Sequence, residues 1–248
     1  MEQHGSSVRD GTRLAWRMTA GHAPTVVFLP GFRSDMQGAK AEALAALCAA
    51  RGQAMLRLDY SGHGESDGDF LDGTIGRWTE DALHLLDTLT AGRVVLVGSS
   101  MGGWIMLHLA LLRPHRMAGL VGVAAAPDFT EALMWDAMMP AERATLARNG
   151  VLHIPSDYGA PTPITLGLIE DGRVRLLMGA PLPISCPVRL LHGQRDPDVP
   201  WETSLRLAAL LESDDVQVLL VKDGDHRLSS PRDLALLGRL LLGLLDGA

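Results

Sequence analysis

Val94-Val95-Leu96-Val97-Gly98-Ser99-Ser100-Met101-Gly102-Gly103-Trp104 is the stretch that decides how this chain folds. An apolar run of strand character ends in Gly-x-Ser-x-Gly and passes directly into helix-forming sequence. A strand that enters a helix this way is a nucleophile elbow. The serine sits on a turn so tight that the residues two before and two after it must lack side-chain bulk, and Gly98 and Gly102 occupy those positions. The competing reading is an ordinary strand-to-helix turn with Ser100 as N-cap. Partners elsewhere in the chain decide between the two.

A serine hydroxyl is a poor nucleophile near neutral pH. It needs a histidine to take its proton, and a carboxylate behind that histidine to fix its tautomer and stabilise the imidazolium. Both follow downstream. Pro187-Val188-Arg189-Leu190-Leu191-His192-Gly193-Gln194-Arg195-Asp196-Pro197-Asp198-Val199-Pro200 reads as a buried strand followed by a tight acidic loop. Val216-Gln217-Val218-Leu219-Leu220-Val221 is a further apolar strand, and Asp223-Gly224-Asp225-His226 follows it on a loop. Ser, Asp, His in that chain order is the order of the α/β-hydrolase fold. Each of the three stands just past a strand, where the loops of an open α/β sheet converge on ligands. Asp196 is the preferred acid, from its place after Gly193 and before Val199-Pro200. Asp198 and Asp128 are the other candidates, the latter because it follows an earlier strand at 119–123. His63, within Gly62-His63-Gly64, and His192, at the end of its strand, are read as loop-filling residues near the site.

Acyl transfer also needs donors for a developing oxyanion, usually two backbone N–H groups worth about 3 kcal/mol each to the transition state. The Met101 N–H is one candidate. The Phe32 N–H is the other, on the loop Pro30-Gly31-Phe32-Arg33 after the strand Thr25-Val26-Val27-Phe28-Leu29. Arg33, beside that loop, is read as solvated or paired with a nearby acid, with a substrate carboxylate as the alternative partner.

Length and composition fit one globular domain. The chain has 248 residues, 47% of them hydrophobic and 21% charged, enough to bury a sizeable core. Its net charge of −7 and lack of a long basic run argue against a nucleic-acid partner. No apolar stretch approaches the roughly 20 residues of a membrane span. The first ten residues have no apolar segment of signal-peptide type, so the cytoplasm is the expected compartment. Cys48 and Cys186 have no metal or redox spacing and are read as buried thiols.

Along the chain, strand and helix alternate as in a mostly parallel sheet covered on both faces. Strands are expected around 14–18, 25–29, 54–58, 94–97, 119–123, 187–192 and 216–221. Helices are expected at about 39–50, 78–89 and 104–112. The segment from about 127 to 185 breaks the alternation and is expected to form a small helical cap inserted into the single domain 1–248. Glu131 to Arg148 reads as helical there, with Met134, Trp135, Met138, Met139 and Leu146 offering apolar faces. Such residues either seat the cap or accept a poorly defined acyl group.

Several segments together carry a family resemblance: Gly98-Ser99-Ser100-Met101-Gly102-Gly103-Trp104, Gly122-Val123-Ala124-Ala125-Ala126, Ser185 to Gly193, Val199-Pro200-Trp201 and Asp225-His226-Arg227. The chain resembles serine hydrolases of the α/β-hydrolase superfamily, in the group of the mitochondrial palmitoyl-protein thioesterases and acyl-glucuronide esterases. That resemblance implies a triad of Ser100, Asp196 and His226. It implies substrates that are esters or thioesters, small or carried on an acylated protein, and chemistry that needs no metal or organic cofactor. The cap sequence, with Pro161-Thr162-Pro163 and Asp171-Gly172-Arg173, departs from the group. A serine peptidase or another reaction of the same fold is the alternative expectation, and a noncatalytic binding protein the remotest.

Overall fold

The computed structural model describes residues 2–156 and 159–247. Residues 1 and 248, and residues 157 and 158 inside the stretch expected as a cap, lie outside the described residues. In chain order the elements are β1 (Glu2–Arg9), β2 (Thr12–Thr19), β3 (His22–Leu29), α1 (Ala39–Arg51), β4 (Gln53–Leu58), α2 (Ile75–Leu89), β5 (Val94–Ser99), α3 (Met101–Leu112) and β6 (Met117–Val123). Then come α4 (Pro140–Asn149), β7 (Val151–Ser156), β8 (Gly159–Thr165), α5 (Leu166–Arg173), β9 (Val188–Gly193), α6 (Glu202–Leu210), β10 (Val216–Val221) and α7 (Pro231–Leu245).

Eight strands form one sheet in the order β1-β2-β4-β3-β5-β6-β9-β10. From β4 to β10 neighbouring strands are parallel, whereas β1 and β2 form an antiparallel hairpin on the β4 edge. The side chains sort between the two faces of this sheet. Val26, Phe28, Val95 and Val97 join one apolar cluster with α1 and α7, while Val27, Leu29, Val94 and Leu96 join the other with α2 and α3. Alternation along each strand therefore feeds two cores, and both faces are apolar because both are covered. Fully burying a side chain of this size contributes about 1.5–3 kcal/mol.

The helices start and stop where short polar residues and glycines permit. Thr74 Oγ1 accepts the Arg77 N–H at the start of α2. Ser230 and Asp233 form a reciprocal capping box at the start of α7. Gly52 takes the left-handed conformation that ends α1.

The segment between β6 and β9 departs from the expected single helical stretch over 131–148. Thr130–Trp135 is one wide turn, closed by the Asp136 N–H on the Glu131 carbonyl, and α4 begins afresh with Pro140 at its first position. Proline has no N–H to give and its ring crowds the preceding turn, so a continuous helix must break there. An antiparallel pair, β7–β8, follows where the sequence leads one to expect only helix. Leu146, Ile164, Ile169 and Met138 make a small core of their own, against which Phe32, Met134 and Trp135 pack.

Candidate active site

The central parallel strands end along one edge of the sheet, and their following loops carry the polar residues. Ser100 follows β5 directly. Its backbone adopts φ 54° and ψ −120°, a conformation that side-chain-bearing residues rarely take. The turn closes through the Ser100 N–H on Val123 O (2.9 Å) and the Gly103 N–H on Ser100 O (2.8 Å). The need for glycine is steric. A Cβ at Gly98 would lie 2.4 Å from the Gly102 carbonyl oxygen, and one at Gly102 would lie 2.1 Å from the Leu29 carbonyl oxygen. α3 is thus pressed against β3, and its N-terminus, with the positive end of its dipole, meets the serine.

The loops after β9 and β10 are zipped together. Gln194 N–H donates to Val221 O (2.8 Å) and Arg195 N–H to Gly224 O (2.9 Å). Gly193 passes so near Gly224 that a Cβ on it would stand 2.3 Å from that carbonyl oxygen. This contact brings Asp196 under His226. The structure places His226 Nε2 3.1 Å from Ser100 Oγ and His226 Nδ1 2.7 Å from Asp196 Oδ2. The Asp196 side chain is fully buried and that of His226 is 17% exposed. Burial alone would raise the Asp196 pKa. Hydrogen bonds from His192 and His226, the His226 charge and the Val199 N–H outweigh it and hold the carboxyl well below the ordinary carboxylate range.

The other two acid candidates are occupied differently. Asp198 gives its backbone N–H to Asp196 Oδ1 at 2.8 Å. Asp128 accepts the N–H groups of Leu177 (2.8 Å) and Met178 (2.9 Å), so it anchors the far end of the segment between β6 and β9. Burial pushes its carboxyl up, partly offset by those two N–H groups and by Arg206.

The loop after β3 lies across the serine. A Cβ on Gly31 would be 3.3 Å from Ser100 Cβ and 4.0 Å from its Oγ, so the backbone leading into Phe32 runs alongside the hydroxyl. The Phe32 ring packs with Phe70, Trp78 and Phe129 at centroid distances of 5.1–5.9 Å. Arg33 donates its N–H to His63 Nε2 (3.3 Å) and Nη1 to Thr162 Oγ1 (2.6 Å), tying the loop to β8. His63 Nδ1 faces Ser61 O at 3.2 Å, so the ring bridges two loops, and burial lowers its pKa despite the Ser61 carbonyl. Met101 is the first residue of α3, where an N–H has no partner within the helix.

Among the described residues, Asp196, Asp198 and His226 are the cluster with metal-ligand chemistry, one atom of each lying within 4.8 Å of the others. The Asp196 oxygens are already engaged by N–H groups and the His226 Nδ1 by the carboxylate. Two polar residues beneath the site were missed as partners: His192, read as loop filler, and Ser204 on α6. Both touch the Asp196 assembly. Their signal is three-dimensional, because nothing in the local sequence ties a strand-end histidine to a helix serine twelve residues on.

Comparison with known proteins agrees with this architecture. Residues 24–150 match the family model described as alpha/beta hydrolase fold. The mouse palmitoyl-protein thioesterase ABHD10, mitochondrial, is 39% identical over 235 residues, which is 94% of this chain and 79% of that protein. The solved structure of mouse alpha/beta hydrolase domain-containing protein 10 superposes with a TM-score of 0.91 at 37% identity, covering 99% of each chain. A putative hydrolase from Agrobacterium vitis S4 superposes with a TM-score of 0.93 at 41% identity, covering 98% of each. The expected cytoplasmic location does not stand, because the curated relatives that match nearly the whole chain are named as mitochondrial proteins. No helix among the described residues is long and apolar enough to cross a membrane. By the family match and the near-complete overlap with these relatives, the chain belongs to the alpha/beta hydrolase fold family and is a hydrolase of the group that includes the ABHD10 palmitoyl-protein thioesterases.

Proposed function

We propose that this hydrolase cleaves carboxylic esters or thioesters through an acyl-enzyme on Ser100. The observation that carries the reading is the unbroken chain from Ser100 Oγ through His226 to Asp196, at 3.1 Å and 2.7 Å. His226 Nε2 takes the hydroxyl proton as Oγ attacks the acyl carbonyl carbon. Asp196 keeps the Nδ1 proton in place and stabilises the imidazolium. The N–H groups of Met101 and Phe32 receive the oxyanion, one at a helix start and the other on the loop beside Gly31. His226 then returns its proton to the leaving group. Water, deprotonated by His226, attacks the acyl carbon and releases the acid and a regenerated Ser100. A thiolate needs little protonation to leave, so a thioester makes the smaller demand on the first step.

The segment at 127–185 acts as the cap and supplies the acyl-binding surface. Leu133, Met134, Leu177 and Met178 pack on the same core as Phe32 and Phe129, and methionines adapt their shape to an apolar chain. The names of the curated relatives favour an S-acylated protein as the thioester substrate. The test is hydrolysis of matched p-nitrophenyl esters and acyl thioesters, from acetyl to palmitoyl, by the wild-type protein and Ser100→Ala. Turnover by the wild type and none by Ser100→Ala supports the reading, and the optimal chain length sizes the acyl site. A folded wild-type protein inactive on the whole series overturns it.

A further inference from the structure

His192 is fully buried directly behind Asp196, and its ring is hydrogen-bonded on both sides. Nε2 lies 3.2 Å from Asp196 Oδ2 and 3.1 Å from the Val199 carbonyl oxygen. Neither of those atoms can donate, so Nε2 carries a proton and donates to them. Nδ1 lies 2.7 Å from Ser204 Oγ. With the ring proton on Nε2, Nδ1 is an acceptor and the Ser204 hydroxyl is its donor. Ser204 is itself buried on α6, so the helix sets the tautomer of a ring on the neighbouring strand.

Seen from Asp196, the consequence is saturation. Oδ1 accepts the N–H groups of Asp198 and Val199, each at 2.8 Å. Oδ2 accepts His226 Nδ1–H at 2.7 Å and His192 Nε2–H at 3.2 Å. A carboxylate has about four lone-pair directions, and all are taken. The carboxylate can neither rotate away from His226 nor easily accept a proton.

We propose that His192, its tautomer fixed by Ser204, is a positioning residue of the reaction. It pins the Asp196 carboxylate so that Oδ2 faces His226, and the hydrogen-bonded chain runs Ser204–His192–Asp196–His226–Ser100. This inference rests on the Ser100, His226 and Asp196 roles set out above. The low Asp196 pKa agrees with it, because His192 is the first hydrogen-bond donor that opposes the effect of burial there.

The experiment compares His192→Leu, His192→Gln and Ser204→Ala with the wild type on p-nitrophenyl butyrate, alongside the low-field proton resonance of the His226 Nδ1–H. His192→Leu keeps an apolar volume without a donor, and His192→Gln retains an N–H near the Nε2 position. His192→Leu is expected to lower kcat about tenfold or more, the scale of one hydrogen bond to a charged group. KM should stay within about twofold, since no substrate contact is lost, and the His226 resonance should shift or broaden. His192→Gln should recover most of the kcat loss, and Ser204→Ala should show a smaller loss of the same kind. If His192→Leu fails to fold, Ser204→Ala decides the question by the same two readouts. Folded His192→Leu and Ser204→Ala with wild-type kcat and an unmoved resonance overturn the inference, as does a change confined to KM. Ser100→Ala run in parallel separates the two levels. Full activity in Ser100→Ala refutes the reading of the site, whereas inactivity there with wild-type kcat in His192→Leu and Ser204→Ala refutes only the positioning role.

Discussion

Replacing Ser100 by glycine and, separately, by alanine isolates the backbone strain stored at the elbow, because both variants lose the same hydroxyl. The conformation at this residue, φ 54° and ψ −120°, costs a side-chain-bearing residue on the order of 1–3 kcal/mol. Glycine escapes that cost, but its freer unfolded chain forfeits about 0.4–1 kcal/mol relative to alanine. The balance favours Ser100→Gly over Ser100→Ala by about 1 kcal/mol, the reverse of the order at an ordinary site. Unfolding entropy scales with chain length, so for 248 residues this corresponds to a difference in Tm of about 2 °C. Equilibrium urea unfolding and calorimetry of the two variants measure it, and both should be devoid of hydrolytic activity. An alanine variant as stable as the glycine variant, or more stable, would show that the elbow carries no strain and refute the reasoning.

Asp196→Asn keeps the shape but reverses the hydrogen-bonding preference toward His226, and kcat on any good ester substrate should fall by about 10⁴ with little change in KM; a loss below tenfold would remove Asp196 from its role. Gly102→Ala puts a methyl group within 2.1 Å of the Leu29 carbonyl oxygen, which is fixed backbone, so denaturation should show a loss of more than about 3 kcal/mol or no soluble protein. Asp59 supplies a pH test of stability. Burial raises its pKa to about 6 despite N–H donors from Glu65 and Met36, so the folded state binds its proton more tightly than the unfolded state does. Its contribution to stability is therefore fully present below the unfolded value of 3.8 and is lost as pH rises through about 6. Stability of the wild type relative to Asp59→Asn should decline by about 2 kcal/mol between pH 4 and pH 7, and a difference independent of pH in paired urea titrations would contradict that.

The elbow was legible because sterics leave few alternatives: Gly98 and Gly102 are each forced by a carbonyl oxygen of fixed backbone. The loops after β9 and β10 were legible because each follows a run of apolar residues. β1 was not, since its alternation is polar and largely exposed. The available signal was the turn Asp10-Gly11, where both residues take positive φ, 48° and 78°. The pair β7–β8 was hidden by Pro155, Pro161 and Pro163, which argue against a strand unless it lies at a sheet edge, as each of these two does. α7 lies outside the expected helices although Ser230-Pro231 and Asp233 spell a helix start. Among Asp128, Asp196 and Asp198 the sequence prefers Asp196 from its loop position alone, and the physical difference between the three lies in distances. Asp128 follows a strand as Asp196 does, but its carboxylate turns to the N–H groups of Leu177 and Met178. The involvement of His192 and Ser204 depends on α6 packing against β9, a long-range fact that no local pattern encodes.

In the proposed reaction Ser100, activated by His226, is the nucleophile. Its most direct test is stoichiometric reaction with a fluorophosphonate, followed by mass spectrometry of the labelled peptide and a parallel assay of thioester hydrolysis. One equivalent of label is expected, located on Ser100, with hydrolysis lost in proportion and labelling abolished in His226→Ala. Label on another residue, or full hydrolysis by protein fully labelled at Ser100, would contradict it.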